Sequence, residues 1–300
     1  MTNTFYYNTI YVIESLNNSE VHTGSQLYEL IKKFELKYAG VKTSLKLPNT
    51  KTELFDVLNS IINSVKNDNC LPIIHLEIHG NEHGVQCANK DFVIWNELYP
   101  YLIAINVKLK NTLIISTGIC FGTYLYFNVD MNKPAPFFSL ISSVSKITNE
   151  IILDSYEGFY NELLNSENIN SALNYLNLDF LRPTDNSIIL ESFIFSLLTD
   201  YRELIARLPG LINFSIIDSK KTISETDRND FYDNAIKIQN EIFVDKLKEI
   251  WFTYLMLDLY PETKDRYKNI KNIILDNIDK IDIIENLKTN LKKEVLIKLN

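Results

Sequence analysis

The sequence predicts an α/β fold in which a mostly parallel sheet occupies the first half of the chain and helices occupy the second. Three observations support this prediction. Short β-branched and aromatic runs alternate with amphipathic helical patterns up to about residue 147, which is typical of βαβ units. Beyond that point helical periodicity dominates. Eight glycines and eight prolines in 300 residues leave little material for long flexible linkers.

Four strands are predicted in the first half, because each run is rich in Ile, Val, Thr or Tyr and ends at turn-forming residues. They span residues 9–13, 41–47, 72–78 and 112–116. The helices between them carry apolar residues three and four positions apart. They span residues 25–36, 52–65 and, at least in part, 93–105, where Pro100 is an expected break or kink.

Five helices are predicted in the second half, the third of them ended by Pro209 and Gly210. They span residues 150–164, 171–178, 187–208, 227–260 and 265–299. We therefore expect two regions. Residues 1–147 form the sheet-containing core, and residues 148–300 form a mainly helical region with a regulatory role or a role in binding a substrate or partner.

Composition and charge exclude several classes of protein. The chain has 30 basic and 38 acidic residues, a net charge of −8, and no basic stripe for a nucleic-acid backbone. No apolar run approaches the roughly 20 residues that span a bilayer, and the N-terminus lacks the pattern of a signal peptide. Cys70, Cys87 and Cys120 form no CxxC pair, which favours a reducing compartment. We expect a cytoplasmic protein with neither a nucleic-acid nor a membrane partner.

Candidate chemistry lies at the ends of the third and fourth predicted strands. His79 and Gly80 follow the third strand, and Gly118 and Gly122 bracket Cys120 after the fourth. Ligand-facing loops of α/β sheets lie at the carboxyl ends of the strands, so we expect His79 and Cys120 at one edge. A thiol nucleophile needs a neighbouring base, and a neutral imidazole can accept its proton near pH 7.

The same residues suggest how an oxyanion would be held. The backbone N–H groups of Gly80 and Cys120 are the expected donors. A helix predicted over residues 121–129 would place its positive end beside the thiol and favour the thiolate. Cys70 and Cys87 are interpreted as small core residues.

Residues 73–147 resemble the caspase-like cysteine peptidases, in particular the bacterial branch called CHAT proteases. The resemblance rests on a hydrophobic strand ending in His79-Gly80 and on a second strand ending in the run 117–122, Thr-Gly-Ile-Cys-Phe-Gly. Weaker similarity covers residues 94–98, 105–106, 110–111 and 134–142. It implies a caspase-type sandwich, a His79/Cys120 dyad that needs no cofactor, and cleavage of a protein or peptide substrate after a preferred P1 side chain.

The sequence departs from the family where an acidic or amide residue normally precedes the cysteine, since residues 117–119 are Thr-Gly-Ile. This leaves the S1 pocket, which binds the P1 side chain, unassigned. The nearby acidic residues that could select a basic P1 are Glu77, Glu82, Asp91 and Asp130. The resemblance also implies a latent enzyme, switched on by an activating ligand or partner protein, of the kind found in bacterial antiviral and programmed-death modules.

Two alternatives remain open. On a strand, His75, Glu77 and His79 project from one face and form a 2-His-1-carboxylate set, which would suit a metal-dependent hydrolase. Alternatively, a caspase-like fold can lose its activity and persist as a binding or scaffold module.

Overall fold

In the computed structural model, which describes residues 6–35, 40–218, 224–283 and 285–298, a central sheet organises the first half of the chain. The chain divides into two compact units, Met1–Asn186 and Ser187–Asn300. Positions 36 and 299, where two of the predicted helices end, lie outside the described residues.

The sheet of the first unit has the order β2-β1-β3-β6-β7-β8, with a short hairpin formed by β4 and β5 attached to β3. The pairs from β2 to β7 are parallel, and β7 and β8 are antiparallel. The predicted α/β class with a mostly parallel sheet is thus confirmed. The strands are β1 Thr9–Ser15, β2 Lys42–Lys46, β3 Pro72–Asn81, β4 Gly84–Gln86, β5 Phe92–Ile94, β6 Ile114–Thr117, β7 Ser139–Ser143 and β8 Leu181–Asp185.

Helices cover both faces of this sheet. They are α1 Thr23–Glu35, α2 Lys51–Asn67, α3 Trp95–Lys108, α4 Tyr124–Phe127, α5 Asn149–Ser166 and α6 Ile169–Leu173. From β1 the chain moves outward to β2 and then back across to β3, so right-handed crossovers place α1 and α2 on opposite faces. Accordingly α1 contacts α5, and α2 contacts α3.

The core on the α1 and α5 face shows why these segments form these elements. Ile10 and Val12 of β1 are fully buried at alternate positions and meet Leu27 of α1 and Phe159 of α5. Alternation along a strand and a spacing of three or four along a helix bring the apolar side chains to one layer. Helix α2 begins at a capping box, in which Thr50 and the third helical residue, Glu53, satisfy each other's backbone N–H groups.

The second unit is helical, as predicted. Its elements are α7 Asn186–Asp218, α8 Glu225–Tyr254, a 3₁₀ helix Pro261–Tyr267, α9 Lys268–Lys280 and α10 Glu285–Lys298. The helix predicted over 227–260 is therefore shorter, and the single helix predicted over 265–299 is instead two helices, α9 and α10, that follow the 3₁₀ helix. Met256 has a left-handed backbone beyond the end of α8, and Ile281 is extended beyond α9.

Proline is a weaker terminator here than the sequence suggests. Helix α7 continues through Pro209 and Gly210, and α3 continues through Pro100. A proline removes one backbone donor from a helix. In α7 the buried residues Leu208 and Ile212 flank this defect, so side-chain burial keeps the helix continuous.

The division between the two units falls after the predicted boundary at residue 147. Helix α5 contacts α1, and β8 pairs with β7, so both belong with the sheet. Asn186 closes this unit, since its backbone N–H donates to the carbonyl of Phe138. Within the described ranges, no helix combines the length and apolarity needed to cross a membrane.

Candidate active site

The order of the strands reverses at one point of the sheet. From β1 the chain crosses to β2 on one side, whereas from β3 it proceeds to β6 and β7 on the other. The loops that follow β1 and β3 diverge there, and such a crevice is where open α/β sheets bind ligands. A cavity of about 340 Å³ lies at this edge, and both His79 and Cys120 line it.

His79 lies near the end of β3 and 55% of its side chain is exposed. Its Nε2 is 2.7 Å from Oε1 of Glu20, in the loop between β1 and α1. Within the part of the chain that the structure describes, no hydrogen bond reaches its Nδ1. One ring nitrogen is therefore held by a carboxylate, and the other is free for proton transfer.

Glu20 is a site residue that the sequence did not suggest. Its Oε2 accepts a hydrogen bond of 2.7 Å from the backbone N–H of Asn17, and its own N–H donates to the carbonyl of Asn17. The Asn17 N–H and, after it, the hydrogen bond from His79 hold the pKa of the Glu20 carboxyl below its usual range. This carboxylate is thus fixed on both oxygens.

The titration of Glu20 tests this arrangement. We expect its carboxyl carbon, followed by ¹³C NMR, to titrate below the usual 4.5. In His79→Ala the midpoint should rise only partway, because the Asn17 N–H has the larger effect and remains. A wild-type midpoint at the usual value would show that neither hydrogen bond forms.

Cys120 occupies a turn directly after β6. The strand ends at Thr117, and the N–H of Gly118 still donates to the carbonyl of Leu76. The half-buried Cys120 Sγ lies 3.9 Å from the carbonyl oxygen of Ile147, at the start of the segment leading into α5. Cys120 thus lies just beyond the end of a buried strand.

The helix predicted over residues 121–129 is wrong. Phe121 has a left-handed backbone with φ 58°, and its N–H donates to the carbonyl of Ser145 instead of entering a helix. Only the four-residue α4, which starts at Tyr124, follows. The expected helix dipole therefore does not act on the Cys120 thiol.

The other two cysteines lie elsewhere, as the sequence predicted. Cys70 and Cys87 are buried, and Cys120 is the partly exposed cysteine of the three. Cys70 Sγ is 3.8 Å from the hydroxyl of Tyr11, and burial raises the pKa of the Cys87 thiol. Cys120 is accordingly the thiol placed for reaction.

The backbone N–H groups of Cys120 and Gly80, the predicted oxyanion donors, differ from those of their neighbours in their hydrogen bonding. The N–H groups of Gly118, Phe121 and Gly122 donate to carbonyls, whereas none of the described acceptors receives the N–H of Cys120. Asn81 and Gly84 flank the two-residue turn of the hairpin as its hydrogen-bonded pair. In an antiparallel ladder, hydrogen-bonded and non-hydrogen-bonded pairs alternate. Gly80 and Val85 are therefore a non-hydrogen-bonded pair, and the N–H of Gly80 forms no hydrogen bond within the hairpin.

A Cβ at Gly80 would lie 2.3 Å from Cγ2 of Ile119 and 3.1 Å from the carbonyl oxygen of Cys120. The loop that carries the thiol thus lies directly against the backbone that follows His79. Glycine at position 80 permits this close approach.

A buried polar network supports the floor of the cavity. Glu77, 2% exposed, accepts hydrogen bonds from His75 Nε2 at 2.7 Å and from the Thr23 hydroxyl at 2.8 Å. His75 Nδ1 lies 2.8 Å from the Ser116 hydroxyl, which lies 2.7 Å from the hydroxyl of Tyr160. Burial raises the pKa of Tyr160, so its phenol remains protonated and can donate into this chain.

One order of donors gives every member of this network a partner. Tyr160 can donate to Ser116, Ser116 to Nδ1 of His75, and the His75 Nε2–H to Glu77. A Cβ on Gly118 would lie 2.3 Å from both carboxylate oxygens of Glu77. The carboxyl group of Glu77 therefore lies directly beneath the loop that leads to Cys120.

The four acidic residues suggested for the S1 pocket are not brought together. Glu77 lines the cavity. Glu82 is exposed in the hairpin turn, and Asp91 accepts a hydrogen bond from the backbone N–H of Lys51. Asp130 pairs with Lys133 and lines a separate hollow with Tyr99 and Pro134. Glu77 is the member of the set that lies at this cavity, and His75 and Thr23 already bind both of its oxygens.

The metal alternative receives no support from the geometry. Both ring nitrogens of His75 are used inside the core, by Ser116 and Glu77. His79 instead binds Glu20, outside that network. Across the described residues, no group of three His, Cys, Asp or Glu side chains is arranged to hold a metal ion.

The structure thus places His79 and Cys120 on one cavity, as the sequence predicts, although no hydrogen bond joins them within the described residues. It adds Glu20 and the buried support under Gly118. Comparison with known proteins does not extend this description. No protein-family model matches the chain, and no curated protein matches it.

Proposed function

We propose that the chain is a caspase-like cysteine endopeptidase with His79 as the base and Cys120 as the nucleophile. The observation that carries the proposal is that two side chains suited to acyl transfer meet at one cavity. A histidine and the one partly exposed cysteine, contributed by two separate strand ends, line the same cavity where the strand order reverses. A thiol and an imidazole at one cleft are the two groups that acyl transfer through a thioester requires.

The reaction divides into acylation and deacylation. His79 takes the proton of the Cys120 thiol, and the thiolate attacks the carbonyl carbon of the scissile peptide bond. The N–H groups of Gly80 and Cys120 hold the oxyanion of the tetrahedral intermediate. The imidazolium then protonates the leaving amine, and water hydrolyses the thioester to release the acid and restore the thiol. These steps need no cofactor.

The resting geometry is compatible with a latent enzyme. The Cys120 thiol lies against the carbonyl of Ile147, and His79 is bound to Glu20. Catalytic hydrogen bonds often tighten only when substrate binds. An activating ligand or partner protein, for which the helical unit Ser187–Asn300 is the candidate receiver, would supply this step in a cytoplasmic defence module.

The charge of the cavity favours a basic P1 side chain. Its lining includes the carboxylates Glu20 and Glu77, and no lysine or arginine is among the described residues that line it. A cleft of one sign of charge attracts the opposite charge. Glu20 is bound by His79, and Glu77 by His75 and Thr23, so a P1 cation is attracted by the acidic character of the cavity and not by one free carboxylate.

Labelling with electrophilic peptide ketones tests the proposal. We expect a single adduct by intact mass, formed faster with Arg or Lys than with Asp at P1. Cys120→Ala should remove it because the attacking sulfur is lost, and His79→Ala should remove it because the base is lost. An adduct that persists in Cys120→Ala would show that another residue reacts, and faster labelling by Asp would contradict the preference for a basic P1 side chain.

An inactive binding module is the second candidate, favoured by the lack of a described His79–Cys120 hydrogen bond. Iodoacetamide separates the two. Exposure alone makes Cys120 faster than the buried Cys70 and Cys87. Only a functional base makes that rate depend on His79, so His79→Ala should slow alkylation of Cys120 in an enzyme and leave it unchanged in a binding module.

A further inference from the structure

We propose that Glu20 is a positioning residue that completes a Cys120–His79–Glu20 triad by holding the proton of His79 on Nε2, so that Nδ1 is the nitrogen that accepts the thiol proton. This inference rests on the proposed function. It concerns which nitrogen of His79 does the chemistry, a question that the dyad alone leaves open.

The proton assignment follows from the hydrogen bond itself. An ionised carboxylate can only accept, so the 2.7 Å contact between Glu20 Oε1 and His79 Nε2 requires a proton on Nε2. In a neutral imidazole the other nitrogen then has a free lone pair. That nitrogen, Nδ1, receives no hydrogen bond from the described residues, as a general base at rest requires.

Glu20 is held in place for this task independently of His79. Its Oε2 accepts the backbone N–H of Asn17, and the Asn17 side chain in turn accepts from the N–H of Ser19 at 3.2 Å. The turn that carries the carboxylate is therefore fixed by its own hydrogen bonds. The loop also contributes Ser19 and Glu20 to the lining of the cavity.

Two other His–Glu pairs in the described chain show what makes this one different. Glu77 binds His75 in the core, and Glu14, also buried, binds His22 together with the N–H and hydroxyl of Ser25. Neither His75 nor His22 lines the cavity. The pair formed by Glu20 is the one whose histidine faces the candidate nucleophile's cavity.

The hydrogen bond from the Asn17 N–H to Glu20 predicts an unusual order of activity for two variants of Glu20. In Glu20→Gln the amide oxygen is claimed by the Asn17 N–H, so the amide NH₂ group is turned toward His79. That group can only donate, which makes Nε2 an acceptor and moves the proton of His79 to Nδ1. Glu20→Ala leaves the tautomer to solvent. The glutamine variant, although closer in shape, should be the poorer enzyme.

The experiment measures the tautomer and the reactivity of the thiol in the full chain. We expect ¹⁵N NMR to show the Nε2–H form of His79 in the wild type, a mixture in Glu20→Ala and the Nδ1–H form in Glu20→Gln. Alkylation of Cys120 should slow by about tenfold in Glu20→Ala and by about a hundredfold in Glu20→Gln. Glu29→Gln, which removes an equal charge from the exposed face of α1, should match the wild type.

The outcomes separate this inference from the proposed function. If His79→Ala slows alkylation but both Glu20 variants react like the wild type, the triad is wrong and the dyad stands. If His79→Ala has no effect, the proposed function itself fails. A glutamine variant that reacts faster than the alanine variant would overturn the proton assignment.

Discussion

Peptide hydrolysis by His79→Ala is expected to fall by about 10²- to 10⁴-fold in kcat/KM, because the Cys120 thiol then lacks a base. The side chain of His79 is more than half exposed, and it forms a hydrogen bond with Glu20 at the surface. Its removal should therefore leave the fold intact. A fluorogenic peptide that carries the P1 residue found by ketone labelling gives the rate, and the thermal unfolding midpoint checks the fold.

The double variant His79→Ala/Cys120→Ala provides the control. Because base and nucleophile act as a unit, its residual rate should equal that of Cys120→Ala alone. A further drop of the same factor in the double variant would mean that His79 contributes independently, for example by binding substrate. Unchanged hydrolysis in His79→Ala would exclude it as the base.

The largest expected effect on stability comes from Glu77→Ala. This substitution leaves His75, 0% exposed, without the acceptor for its Nε2–H and leaves the Thr23 hydroxyl without its partner. Breaking a buried pair on one side costs about 3–5 kcal/mol. Urea unfolding should show a lower midpoint with an unchanged slope, which reports stability and not a change in compactness.

A double-mutant cycle isolates the contact. His75→Ala/Glu77→Ala should be destabilised by less than the sum of the two single variants, since residues in one hydrogen-bonded pair couple by about 0.5–3 kcal/mol. Glu29→Ala, exposed on α1, should stay within about 0.5 kcal/mol of the wild type. Additive losses at positions 75 and 77 would mean that the 2.7 Å contact carries no coupling.

Much of the fold was predictable because its determinants are local. The β-branched runs that became β1, β3 and β6 are buried and short, so composition alone identifies them. The carboxyl ends of parallel strands share one edge, so the sequence predicts His79 and Cys120 at the same edge of the sheet, and in the structure both line one cavity there. Glycine at 80 and 118 was informative because both positions are approached closely by other chain segments.

The features that escaped prediction depend on distant contacts. Glu20 lies 59 positions from His79, in a loop without a motif, and only the sheet order brings the two together. The left-handed backbone at Phe121 follows from a hydrogen bond to Ser145 across the loop. Pro209 was read as a helix end because the burial that holds α7 together around it is a tertiary property.

Hydrogen bonds to buried carboxylates hold both ends of the loop of residues 16–22 in place. Glu14, at the end of β1, accepts the backbone N–H of Ser25, and Thr23, at the start of α1, donates to Glu77. The segment between these two hydrogen bonds forms one wall of the cavity and also carries Glu20. A change in the length of this loop that alters the cavity also moves the carboxylate bound to His79. In the peptidase proposed above, substrate preference and base strength therefore depend on the same loop, and selection on one acts on the other.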